Sequence, residues 1–488
     1  MTETDRPSPC SRPGPGLAAA WSSVGGDPAL LTRVTTVERP EVLPARLPVR
    51  ELARACVGAC ALAAAELGAR RAGSRRPGGP ALPGTPAVRV DDGAVAAAFV
   101  SERHLLVGGR APVSFAPLSR FWRTADGWVR THTNYPHHRA RLLAALGTSD
   151  EPEAVAAALA ARSAAEVEET VYAAGGLAVA LRTPAEWAAH EQAAAVARRP
   201  LVERGRLDSA PARVLGPVGR DPLLPAAGLR VLDLTRVVAG PVATRTLALL
   251  GADVLRLDPP GLPELPDQHI DTGFGKRSAL LDLAAGRDTF EELLAAADVV
   301  VTGYRPGSLE RLGLGPEELA GRRPGVVVAE LSAWGAYGPW GGRRGFDSLV
   351  QAATGIAVSE GSAGRPGTLP AQALDHGTGH LLAAAVLRAL TEQEDEGGSR
   401  FVRLALARTA AWLLEGASPT RAPEGEPAAE GVVVPGPAAG CSADGWLTET
   451  DSALGRLRYA RSPVSFADGP RDWTRPPRPW GTDAARWA

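Results

Sequence analysis

The sequence predicts an α/β protein: a large domain built on a mostly parallel sheet, accompanied by a small α+β domain. The first part rests on the stretch GLRVLDLTRVVAGPVATRTLALLGADVLRLDPP from Gly228. There an apolar run, Leu229 to Leu234, breaks at Thr235 to Pro241, passes into an Ala/Leu-rich helical segment and returns as a second run, Ala252 to Leu257. That is a βαβ unit, and parallel strands joined in this way belong to sheets covered by helices on both faces. The second part rests on a change of texture near Pro112. FWRTADGWVRTHT reads as a hairpin around Ala125-Asp126-Gly127, and several short helices follow it as far as Arg206. The expected architecture is a Rossmann-like parallel-sheet large domain over 222–488, a small α+β domain over 112–215, and an N-terminal fragment, 1–111, read as a degenerate partial copy of the large domain packed against it.

In chain order, residues 1 to about 45 begin rich in Pro, Gly and Ser, a composition that favours poor order at a terminus. LPVRELARACVGACALAAAELGARR then reads as a helix with small residues throughout, suited to close packing. The linker AGSRRPGGPALPGTP leads to a short strand, AVRV, and a helix, AVAAAFVSE. In the small domain the helical segments are RARLLAALG, EAVAAALAAR, AAEVEETVYAAG and AEWAAHEQAAAVARR. LDSAPARVLGPVGRDPLLPAAG links it to the βαβ stretch.

Composition narrows the function. The chain has 488 residues, 45% of them apolar, with 53 basic against 54 acidic residues, so neither a polyanion nor a membrane surface is implied as partner. The first residues lack an apolar h-region, and no stretch reads as long and uncharged enough to span a bilayer, so a cytoplasmic protein is expected. Four scattered cysteines make no disulfide framework; Cys56 and Cys60 read as small core residues. Among the basic residues only Lys276 is a lysine. It stands in the Gly-flexed GFGKRSALLDL beside Arg277, where an ammonium next to a guanidinium would suit a phosphate. The loop after the first strand also opens at a helix N-terminus, which favours an anion.

Three internal matches recur in the same order. LPVRELARACVGACALAAAEL resembles LPAQALDHGTGHLLAAAVLRAL, placing Ala53 opposite Asp375; PAVRVDDGAVAAAFVSE resembles RFVRLALARTAAWLLE, placing Val88 opposite Val402; TADGWVRTHT resembles SADGWLTETD, placing Trp128 opposite Trp446. Offsets of 322, 314 and 318 argue for an ancestral duplication whose first copy has lost its leading βαβ part.

Together GLRVLDLTRVVAGP, LGADVLRLDPP, GKRSALLDL, ADVVVTGYRPGSLERLGLGPEEL, PGVVVAELSAWGAYGP, GFDSLVQAATGIAVSEG and ALDHGTGHLLAAAVLRAL resemble the large domain of the family III CoA-transferases, the CaiB/BaiF type. The block from 118 to about 206 is similar to the family's small domain, and DWTRPPRPWG to its closing Pro-rich tail. In ordinary members the small domain follows the large one; here it precedes it. The resemblance implies an acyl-CoA and a carboxylic acid as substrates, with coenzyme A exchanged through an aspartyl-CoA thioester on Asp375, and no metal. It further implies Val237, Val238 and Ala239 on the adenosine side, Arg256, Lys276 and Arg277 on the phosphate side, and Gly303, Tyr304, Arg311 and Leu312 against nucleotide and pantetheine. It implies a homodimer as well, or an internal pseudo-dimer in which the half-copy stands in for part of the second subunit.

Read from the residues alone, Asp375 is more simply a cap of its helix, while Gly377 and Gly379 would let a large ligand approach. Related racemases place a histidine where this chain has Phe346, so racemisation is disfavoured. The family's mobile Gly-rich loop has two weak candidates, Gly108-Gly109 and the PGPAAG run at 435–440. Trp334, Tyr337 and Phe346 are candidates for the acyl-pocket lining, and His137 and His138 read as surface groups. A nicotinamide domain is disfavoured because GxGxxG is absent, and a metal site from Asp375, His376 and His380 because no HExxH-like base accompanies them. A non-catalytic CoA-binding protein is the alternative from a different class.

Overall fold

The computed structural model describes residues 15–74, 84–113, 115–416 and 443–488. Its centre is a seven-stranded sheet in the order Arg277–Leu280, Asp253–Asp258, Arg230–Leu234, Val299–Thr302, Val327–Ser332, Arg400–Ala405, Glu203–Arg206. The first six are parallel, and the seventh runs antiparallel along Arg400–Ala405. The central strand Val299–Thr302 is buried along its whole length, as a strand covered on both faces must be. Glu203–Arg206, placed by the sequence in the small domain, is polar and half-exposed, and closes one edge of the large sheet instead. The opposite edge is covered by the C-terminal tail. Ser278 N–H donates to Asp483 (2.9 Å) and Asp483 N–H donates back to the Ser278 carbonyl (2.8 Å), which leaves that strand less free to pair with another chain.

Strand order reverses between Arg230–Leu234 and Val299–Thr302, the first and fourth parallel strands along the chain. Loops leaving their carboxyl ends therefore diverge and open a crevice. Residues 235–238 and 303–309 are those loops.

Helix Ala373–Glu396 crosses from Val327–Ser332 to Arg400–Ala405 and is buried on nearly every face. A helix apolar all round needs cover on both sides. The sheet supplies one side; helix Val49–Ala69, the crossover between the parallel strands Val34–Val37 and Val88–Asp91, supplies the other. Small residues let neighbouring helices approach, Val49–Ala69 at Gly377 and Ala239–Leu249 at Gly379. A Cβ on Gly377 would lie 2.9 Å from Leu52 Cδ2, and one on Gly379 would lie 2.5 Å from the Ala239 carbonyl oxygen. The room at these glycines is thus used by the protein itself rather than by a ligand. Val49–Ala69 also corrects the membrane reading, because it contains a window long and apolar enough to cross a bilayer, 94% of which is buried inside the protein.

The N-terminal segment is not a unit on its own. Leu106–Val107 pairs with Leu457–Ala460, and Ala467 N–H donates to the Ala87 carbonyl (2.8 Å), so residues 84–111 are interwoven with the chain's end. The small domain follows its pattern. Phe121–Arg123 and Trp128–Thr131 form the hairpin, with Thr124 N–H donating to the Gly127 carbonyl (3.0 Å); Ala178–Ala180 adds to it, and three helices close its core around Trp122, Leu142 and Val171.

Candidate active site

Two cavities, of about 260 and about 80 Å³, open from the crevice, and Val237, Phe346 and Asp375 line both. Asp375 occupies the first turn of Ala373–Glu396 and is 7% exposed. Its N–H donates to Asp347 Oδ2 (3.0 Å), in the first turn of helix Asp347–Ala353, and Gln351 donates to the other oxygen of Asp347. Burial, then the nearby Asp347 and Glu102, push the Asp375 carboxyl well above the usual carboxylate range. Burial also pushes Asp347 up, to about 6, against the opposing effect of the hydrogen bonds it accepts. The two acids therefore ionise reluctantly together.

Arginines wall the larger cavity. Arg141, Arg236, Arg305, Arg343 and Arg344 line it. Burial, then Arg305, Arg141 and Arg311, hold Arg344 below the ordinary guanidinium value, so four like charges converge here. Arg343 is committed to Glu169 (2.7 Å), and Arg236 lies 3.6 Å from Glu264. Among the described residues Arg141, Arg305, Arg311 and Arg344 form no ion pair with a carboxylate. Such an arrangement is costly unless an anion completes it.

The small domain closes this cavity from above. Tyr135, His137, His138 and Arg141 line it, and His132 lies face to face with Phe346, ring centroids 3.7 Å apart and planes at 7°. His138 is buried, and both its ring nitrogens lack a hydrogen-bond partner. Burial, then His137, hold it down to about 3; burial, then His138, hold His132 well below its ordinary value, so both imidazoles are neutral. The reading of His138 as a surface group is corrected. The signal was present in HTNYPHH, where three of the chain's eight histidines fall within seven residues.

Of the residues expected to meet the nucleotide, Val237, Ala239, Gly303 and Tyr304 line the larger cavity and Val238 the smaller. Val237 holds a left-handed backbone (φ 71°), a strained state for a β-branched residue, fixed by its N–H donating to Glu264 Oε2 (3.1 Å). Arg311 stands behind the lining, near Arg344, and Leu312 packs in the core with its carbonyl accepting from Arg287.

The phosphate-side expectation needs correction. Arg256 is fully buried, with its guanidinium held by Asp258 (2.8 Å) and Glu264 (2.9 Å). Lys276 is buried between Asp233 Oδ2 (3.0 Å) and the Pro241 carbonyl (2.9 Å), and Arg277 is spent on Asp253 (2.8 Å). None of the three lines either cavity; each is a neutralised structural cation. Trp334 and Tyr337 are likewise displaced from the expected lining: Trp334 is core, and Tyr337 packs under Arg199, while Phe346 does line the site. Gly108 and Gly109 form the turn between Val107 and Arg110 and are not among the residues lining either cavity; the run at 435–440 lies outside the described residues.

Fold and site thus define an α/β protein with an arginine-walled crevice at the reversal of its sheet and a buried acid pair on the crevice floor. Residues 226–436 match the family model described as CoA-transferase family III. The chain is 37% identical over 209 residues to the probable fatty acyl-CoA transferase Rv3272 of Mycobacterium tuberculosis, covering 40% of this chain and 53% of that protein. It is 37% identical over 202 residues to the acetyl-coenzyme A transferase nodX of Hypoxylon pulicicidum, covering 40% and 34%. A solved structure of a CaiB/BaiF family protein from Brucella suis aligns at 27% identity and a TM-score of 0.36, over 40% of this chain and 59% of that one. The chain spans about half or less of the length of these curated relatives.

Proposed function

We propose that this protein is an acyl-CoA:carboxylate CoA-transferase that works through a covalent intermediate on Asp375. The observation that carries the reading is a buried, weakly solvated carboxyl on the floor of a cavity walled by arginines, of which Arg141, Arg305 and Arg344 have no carboxylate partner among the described residues. Coenzyme A brings a pyrophosphate and a 3′-phosphate, the charges Arg141, Arg305 and Arg344 lack, and its pantetheine arm would run past Val237 and Tyr304 toward Asp375. In the first step an Asp375 oxygen attacks the thioester carbonyl and the C–S bond breaks, giving a mixed anhydride and CoA thiolate. The thiolate then attacks the Asp375 Cγ, and the donor acid leaves as its carboxylate. Repetition in reverse with the acceptor acid completes the exchange, with no net proton transfer. The His132–Phe346 stack beside Asp375 would limit the approach of water to the thioester.

We also infer a duplicated chain acting as an internal pseudo-dimer. Val88 and Val402, matched in sequence, both lie on the second strand of a parallel pair, and the matched helices Val49–Ala69 and Ala373–Glu396 are the two crossovers, packed on each other.

The test is mass spectrometry of the full chain incubated with a panel of acyl-CoAs. A hydroxylamine-sensitive CoA adduct on the peptide holding Asp375, absent from Asp375→Ala, supports the reading. A chain that binds CoA and never forms the adduct is a binding protein instead.

A further inference from the structure

Glu102 belongs to the N-terminal segment, 273 positions from Asp375, yet it lines the same small cavity. The one-turn helix that carries it, Ser101–His104, is fixed beneath the site: Ser101 Oγ donates to Asp271 Oδ2 (2.8 Å), and Arg245 donates to Ser101 Oγ (3.3 Å). Next to Asp375 on its own helix, His376 is 1% exposed and stacks on Phe99 at 5.2 Å. Neither ring nitrogen of His376 has a hydrogen-bond partner, and Nε2 lies 3.8 Å from Glu102 Oε2. Arg103 Nε lies 3.5 Å from the same carboxylate. Glu102 is therefore tethered on one side and left facing the acid pair on the other.

On the transferase reading above, we propose that Glu102 is a positioning residue for Asp375: its anion, steadied by His376 and Arg103, favours the uncharged covalent form of Asp375 over the free carboxylate. When CoA thiolate attacks the Asp375 Cγ of the mixed anhydride, the bond from Asp375 to the acyl oxygen breaks. The negative charge that Asp375 carried then leaves the cavity on the released acid. Repulsion between two carboxylates in a poorly solvated cavity is thereby relieved on forming the thioester and restored on breaking it. Burial raises the Glu102 carboxyl, but His376 and Arg103 together bring it below its ordinary value, so it keeps its charge across the working range. The other titratable groups lining the small cavity with Asp375 and Glu102 are Asp347, Asp267, His132 and Arg103; His138, Arg236 and the arginines already named line the larger one, and His376 follows Asp375 on its helix.

The test uses the full chain with acetyl-, butyryl- and succinyl-CoA as probes, reading the fraction of hydroxylamine-sensitive CoA adduct between pH 5 and 9. In Glu102→Gln the plateau fraction should fall several-fold, and the midpoint of adduct formation should move about one pH unit to the acid side, because a like charge next to Asp375 has been removed. Glu102→Asp should restore part of both. An unchanged plateau and midpoint in Glu102→Gln overturns the proposal while leaving the transferase reading intact. Absence of any adduct in the unmutated chain overturns both. Should Glu102→Gln not fold, His376→Asn must shift the same midpoint, and an unmoved midpoint there overturns the role.

Discussion

Replacing Lys276 by Met separates a structural cation from a phosphate ligand. Its ammonium meets two acceptors, Asp233 Oδ2 at 3.0 Å and the Pro241 carbonyl at 2.9 Å, in a fully buried site. Burial lowers the ammonium to about 8 against the pull of Asp233; burial would raise Asp233, but Lys276, Arg256 and the Thr235 and Thr244 hydroxyls together hold it low. Removing one partner leaves a buried carboxylate without its cation, a loss of about 3–5 kcal/mol. For a melting unit of roughly 200 residues this corresponds to a drop in Tm on the order of 10 °C. Thermal melts of Lys276→Met should show it, while CoA affinity measured by calorimetry below the transition stays within about two-fold. Lys276→Arg should also lose stability, since the larger planar guanidinium must be forced into space fitted to an ammonium. A variant with unchanged Tm and strongly weakened CoA binding would refute this account and return Lys276 to the phosphate.

Two further outcomes follow from the site. Arg344→Ala should weaken CoA binding by about 1.5–3 kcal/mol, the worth of a charge-assisted contact, and weaken binding of a CoA fragment lacking its phosphates far less; equal losses for both would count against the arginine wall as the phosphate site. Asp375→Asn should stabilise the protein above neutral pH. With the folded carboxyl raised, the unfolded chain gives up its proton first, so wild-type stability declines as pH rises from the unfolded value toward the folded one, whereas the amide has no proton to lose. Melts at pH 5 and pH 8 should therefore diverge at the higher pH, and identical differences at both would contradict the buried-acid geometry.

The sheet was legible because parallel strands covered on both faces are written as unbroken apolar runs. Leu229 to Leu234 differs from the observed strand by one residue. The same logic, carried one step further, would have removed Arg256 from the ligand set. A charged residue inside such a strand has no solvent to reach and must be paired, and Asp258, two residues on, projects to the same face. Which arginines reach the crevice was not legible, because Arg141 and Arg305 meet Arg344 only once the strand order and the small domain's position are known. Glu102 carried no signal at all: a one-turn helix far along the chain gains meaning only from the neighbour it touches.

The N-terminal segment carries its own polar cluster, and its chemistry is spent internally. Ala53 stands where the matched helix has Asp375. Beside it Arg54 closes onto buried Asp92 (2.7 and 2.9 Å), whose Oδ2 also accepts from the Arg39 N–H (3.0 Å). A carboxylate held by a guanidinium fork and a backbone amide is a poor nucleophile and leaves no charge for a ligand. What the segment gives the rest of the molecule is physical cover: an apolar face for Ala373–Glu396, which could not otherwise be buried all round, and a single carboxylate, Glu102, turned toward the neighbouring acid pair. The helix contact is what the packing requires, since Asp375 sits on a helix that the sheet alone can cover only from one side.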